Sequence, residues 1–174
     1  MKGQKKTMKK VTILMLVLLL VSLAFAQEGS DGKLDAGLRL GLMNVFGGAT
    51  ARYHLSENNA IEVIISTPGF KGMVFTGMYQ WHKDFADVKN LSWYFGGGLH
   101  AGYWSAAVPR WNGTRWINRK FALGLDAIAG VSYDMESILN FPLAVSLDYK
   151  PAVDIISYWA SLYYDVSLSI RYKF

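Results

Sequence analysis

Three groups of residues in this 174-residue chain have types and spacings that could do chemistry. His54-Leu55-Ser56 sets an imidazole and a hydroxyl two residues apart, with Glu57 and Glu62 close behind. A hydroxyl, a base to take its proton and a carboxylate to orient that base are the parts of a nucleophilic hydrolase. Between Ser105 and Lys120, the cations Arg110, Arg115, Arg119 and Lys120 have no acidic neighbour and are interleaved with Trp111 and Trp116, Trp104 standing just before them. Guanidinium forks grip phosphates and carboxylates while indole faces pack on sugars or acyl chains, so the stretch suits an anionic glycan. The third group is the C-terminal "LSIRYKF", where Leu168, Ile170, Tyr172 and Phe174 alternate with polar residues. His82 and His100 are isolated in sequence, and neither a metal nor a cofactor motif is present.

The elements that must hold these groups are strands. Beyond the N-terminal segment there is no long apolar run and no sustained helical spacing, whereas period-two alternation recurs over residues 34–43, 48–55, 59–67, 72–81, 91–104, 121–135, 141–150 and 160–174. The separators carry turn chemistry: "SENN", "PGFKG", "KDFADVKN" and Pro151. Sorting each strand by parity gives two faces. One collects residues such as Leu38, Val63, Phe75, Leu99, Leu125 and Ile170; the other collects Arg39, Arg52, Glu62, Asp126, Asp148, Lys150, Asp165 and Arg171 among many glycines. A soluble barrel would turn a polar face rich in Lys, Glu and Thr to water. A face of glycines with widely spaced Arg and Asp suits a narrow interior instead, which leaves the apolar face toward lipid. Outward rings cluster near strand ends, Tyr133, Phe141, Tyr172 and Phe174 toward one rim and Tyr103, Phe121, Tyr149 and Tyr164 toward the other, as in the aromatic girdles of membrane barrels.

The N-terminus adds an address. Five lysines without an acid precede the apolar stretch Val11 to Phe25, and Ala24-Phe25-Ala26 supplies a small-x-small site, so residues 1–26 read as a signal peptide cut before Gln27. Lys2, Lys5, Lys6, Lys9 and Lys10 account for the whole excess of 18 Lys plus Arg over 13 Asp plus Glu. The remainder is neutral, which gives nucleic acid no basic patch to bind. With no cysteine there is neither a disulfide framework nor a lipid-bearing Cys. The expected organisation is a signal peptide over 1–26, a short polar leader over 27–33 and one domain over 34–174.

The signal, the eight alternating strands and the terminal Leu168, Ile170, Tyr172 and Phe174 together resemble the small bacterial outer-membrane β-barrel family. The resemblance implies an all-β, eight-stranded antiparallel up-and-down transmembrane barrel of the Gram-negative outer membrane. It also implies periplasmic termini, and a C-terminal signature that the barrel assembly machinery reads. Short turns would then be periplasmic, and the stretch from Ser105 to Lys120 an extracellular loop. The function expected is structural or surface-interacting, through adhesion or anionic-glycan binding, without catalysis; partners are outer-membrane lipid and lipopolysaccharide. The same loop residues could merely staple the rim to its own outer leaflet, since every such barrel coexists with anionic lipid. The alternative is a lipid A-modifying hydrolase, because lipid A deacylases are similar barrels with a His-x-Ser pair like His54 and Ser56. Against it, this pair falls near the periplasmic rim, away from an outer-leaflet substrate.

Overall fold

Eight segments that alternate apolar and polar residues can satisfy every backbone group only by pairing in a ring, and the chain does so. The computed structural model describes residues 33–42, 47–67, 72–109, 115–156 and 162–174. The strands are β1 (Leu34–Gly41), β2 (Gly48–Ser56), β3 (Asn59–Ser66), β4 (Gly72–Asp84), β5 (Leu91–Pro109), β6 (Arg115–Asp134), β7 (Leu143–Ile156) and β8 (Leu162–Lys173), with a single helical turn, α1 (Glu136–Leu139), between β6 and β7. Each strand pairs antiparallel with its sequence neighbours, and β8 returns to β1 to close the barrel. The expected cleavage site at Ala26, and Arg110 and Trp111, lie outside the described residues.

The seam joins Asp35 to Lys173 and Gly41 to Ser167 in register. Beyond the last registered pair, the amide of Phe174 donates to the carbonyl of Leu34 at 2.8 Å. Phe174 also packs edge-on against Tyr172 at 4.7 Å, and Tyr172 against Phe141 at 5.4 Å. Leu168, Ile170 and Tyr172 are all registered with β1 residues, so the alternating C-terminal stretch is the closing strand.

The parity faces hold. Leu99 is 60% exposed on the outside, whereas Arg171 and Glu62 are fully buried within. Glycine makes this packing feasible at two places. A Cβ on Gly124 would lie 2.4 Å from Cε1 of His100, and one on Gly130 would lie 2.8 Å from Cζ of Tyr94. These inward glycines of β6 leave room for the two large rings that β5 sends into the interior.

Two expectations are corrected. Pro151 does not separate strands; it lies inside β7, registered with Tyr164 of β8. Proline lacks the N–H that a ladder needs, and the β6–β7 register correspondingly has no pairs between Asp126–Ala152 and Ala129–Tyr149. The strand survives because its other ladder is unbroken there. The stretch from Ser105 to Lys120 is not mainly loop, since Ser105 pairs with Arg119 and Pro109 with Arg115 as a hairpin continuing β5 and β6. Its residues are small or irregular in polarity, so backbone pairing there leaves no alternation to read. The connection from β6 to β7 contains α1, ended by Asn140 in the left-handed region at φ 50°, where Asn is among the few tolerated residues.

Candidate functional site

The polar chemistry of the molecule is concentrated in the barrel interior. Glu62 of β3 is its hub. Thr50 and Arg52 of β2 donate to the carboxylate, Arg52 at 3.0 Å; Gln80 of β4 donates at 2.5 Å and Arg171 of β8 at 2.7 Å. Arg171 also donates to Ser146 of β7 at 2.8 Å. A second centre is Asp148 of β7, which receives a two-pronged contact from Arg39 of β1 and the hydroxyl of Tyr94 at 2.9 Å. The guanidinium of Arg52 sits 4.5 Å from the centre of the Tyr94 ring and so links the two centres through a cation–π contact.

A third centre lies toward the rim that carries the β5–β6 hairpin. His100 faces Asp126 at 2.6 Å through one ring nitrogen and Asp154 at 3.0 Å through the other, and Lys150 donates to Asp126 at 2.5 Å. Only an imidazolium, with N–H on both nitrogens, donates to both carboxylates at once. Among the described residues, six buried carboxylates (Asp35, Glu62, Asp126, Asp148, Asp154 and Asp165) share the interior with the buried cations Arg39, Arg52, Lys150 and Arg171. Taking charges out of water costs several kcal/mol per ion, and close opposite charges with further hydrogen bonds offset it. Beside the ions, Ile64, Met78, Tyr94 and Ile128 form a small apolar cluster. The interior is a packed core threaded by ion pairs, with carboxylates outnumbering these cations.

The hydrolase set does not assemble. His54 is bound to Asp35 at 2.9 Å, and the β2–β3 register shifts between His54 and Ser56. Ser56 is exposed at the turn, where its hydroxyl accepts from the side chain of Asn59 at 3.2 Å. Glu62 is committed to the two arginines. The bulge is the physical reason: it breaks the two-residue periodicity that would put Ser56 on the side of His54.

Of the proposed polyanion-binding residues, Arg115, Trp116, Arg119 and Lys120 have their backbone in β6. Sequence parity found most of the interior charges but missed Asp35, which binds His54, and Asp154, which binds His100. Asp154 continues the spacing of Asp148 and Lys150, so extending that strand through Pro151 would have found it.

At the opposite rim, where β6 and β8 end, Lys173 donates to Asp134 at 2.5 Å and to Glu136 at 3.3 Å. Partial burial pulls the Asp134 carboxyl upward, but Lys173 and the Glu136 amide outweigh it and hold the group below its usual range. Burial pulls Lys173 down, and the two carboxylates more than restore it.

No protein-family model and no curated protein matches this sequence. Solved structures do. The N-terminal β-barrel domain of Pseudomonas aeruginosa OprF is 12% identical, with 81% of this chain and 95% of that one covered and a TM-score of 0.59. A de novo designed transmembrane β-barrel is 18% identical, with 85% and 100% covered and a TM-score of 0.54. Neisserial surface protein A is 15% identical over 81% and 94%, with a TM-score of 0.48. The likeness is one of fold: a closed eight-stranded antiparallel barrel like those of transmembrane barrels.

Proposed function

We propose that this protein resides in a bacterial outer membrane, held by its barrel, and that its role is structural and surface-interacting rather than catalytic. One observation carries the reading: a closed wall turns large apolar side chains outward and buries ion pairs inside, the reverse of a water-soluble protein. The packed interior argues against diffusive transport. The long β5–β6 hairpin, on the rim opposite both described chain ends, supports periplasmic termini and an extracellular hairpin, because the larger projections of such barrels are external. Residues 1–26 serve export, and the assembly machinery reads Leu168, Ile170, Tyr172 and Phe174.

The same reading assigns surface interaction to the hairpin. β5 and β6, at 19 and 20 residues, are the longest strands; Arg115, Trp116, Arg119 and Lys120 fall where they continue past their outer neighbours, and Arg110 and Trp111 stand in the sequence between the two strands. Lipopolysaccharide or another anionic glycan is the matching partner. Fractionation tests the membrane assignment: the protein should stay with the outer membrane after carbonate washing and change gel mobility on heating, and recovery in the soluble fraction would overturn it. Changing the four cations to Gln should leave that mobility unchanged. It should weaken binding to purified lipopolysaccharide and reduce its salt sensitivity, because such attraction is screened over about 8 Å at physiological ionic strength. Unchanged binding would leave the hairpin a structural rim.

A further inference from the structure

The rim that carries the β4–β5 and β6–β7 turns has apolar side chains where the wall has already ended. Ile138 is 60% exposed, and Leu139 and Phe141 are each 49% exposed, although turns between strands are usually polar. The backbone presents them in an ordered way. Asn140 closes α1 by donating to the carbonyl of Glu136 at 2.9 Å, and Phe141 then packs on Tyr172 of the seam, which is itself an outward residue. The apolar surface of the turn is therefore continuous with the outer wall between β7 and β8. A polar surface accompanies it, where Lys173 holds Asp134 and Glu136.

We infer that the β6–β7 turn is an interfacial anchor, with Ile138, Leu139 and Phe141 seated at the headgroup–acyl boundary of a phospholipid leaflet. The inference rests on the membrane reading above, and continuity with the wall selects lipid as the occupant rather than a protein. A two-sided turn with apolar groups toward the chains and an ion cluster toward water matches that boundary. Seated there, it fixes the height of the barrel at its seam.

The chain contains no cysteine, so single labels are unambiguous. Ile138→Cys and Leu139→Cys would each carry a nitroxide in protein folded into vesicles of phosphatidylethanolamine and phosphatidylglycerol. Leu125→Cys, on the outer wall, marks lipid, and Glu57→Cys, in the β2–β3 turn of the same rim, marks water. The expected ratio of oxygen to nickel-chelate collisions at 138 and 139 is on the order of threefold or more above that at 57, and below that at 125. If 138 and 139 match 57 while 125 stays lipid-like, the anchor is overturned and the barrel stands. If 125 also matches 57, the membrane reading falls and the anchor with it. Low collision with both reagents at 138 and 139 would mean a protein neighbour in place of lipid, which also overturns the inference.

Discussion

Glu62 is the residue on which most of the interior depends, because two arginines, a hydroxyl and an amide all converge on one carboxylate. Glu62→Gln keeps the shape and removes the charge, leaving Arg52 and Arg171 buried without it. Breaking a buried pair in this way costs about 3–5 kcal/mol. Urea titration in lipid vesicles, with the heat-dependent gel shift as readout, should show a loss of that size; a loss under about 1 kcal/mol would mean that solvent screens the hub. The rim pair behaves differently because it is partly exposed to solvent. Asp134 is held low, so its contribution is present above the ordinary aspartate range and is lost as pH falls through its depressed value. Lys173 is held high, so its contribution is present below the ordinary lysine range and is lost as pH rises through its elevated value. Asp134→Asn should therefore lower stability by no more than about 1 kcal/mol at neutral pH, and parent and variant should converge at both extremes. A difference that persists at low pH would contradict the assignment. The interior charges were legible at this scale because parity alone sorts them. What parity cannot supply is the pairing, as His54 shows: its carboxylate is Asp35, nineteen residues away across β1–β2, and not Glu57 or Glu62.

Strands proved more legible in number than in length. Alternation marks a strand wherever one side faces an interior and the other faces outward, and all eight are found that way. It fades where that contrast fades. β5 and β6 continue as a hairpin past their outer neighbours, where neither face need be uniformly apolar, and β7 runs through a proline that would ordinarily end it. The ladder gap beside Pro151 is the local cost, and the β8 ladder carries the strand across. The inward glycines were legible as a class, but their partners were not. Gly124→Ala should displace His100 and meet the Val153 carbonyl, a contact of 2.2 Å from an ideal Cβ. Overpacking of this kind costs about 1–3 kcal/mol. Unfolding of the variant should show that loss, whereas the same exchange at Gly77, whose Cβ would meet nothing within 4 Å, should be nearly neutral. Equal effects at both positions would refute the steric account.

At the scale of the whole molecule, the contacts of Glu62 span β2, β3, β4 and β8, and Arg39 joins β1 to Asp148 of β7. Residues 62 and 171 lie 109 positions apart, as do residues 39 and 148. This wiring has a consequence for the order of events. A chain with seven strands in place has five of its six buried acids and most of its cations, but Arg171, with Asp165, arrives on the same strand that supplies the seam. Until then Glu62 lacks a partner that it can obtain from nowhere else. Electrostatic completion and geometric closure thus fall in one step, and a partly built barrel has little reason to dry its interior early. Arg171→Gln should then lengthen the closing phase in timed refolding, with the slow-shifting band accumulating before the closed one, while the early appearance of β-structure by circular dichroism keeps its parental rate. If the early phase slows and closure does not, the charge acts on hairpin formation instead. The last strand would then be a lid fitted to a finished vessel, whereas the wiring makes it the key that lets the vessel be emptied of water at all.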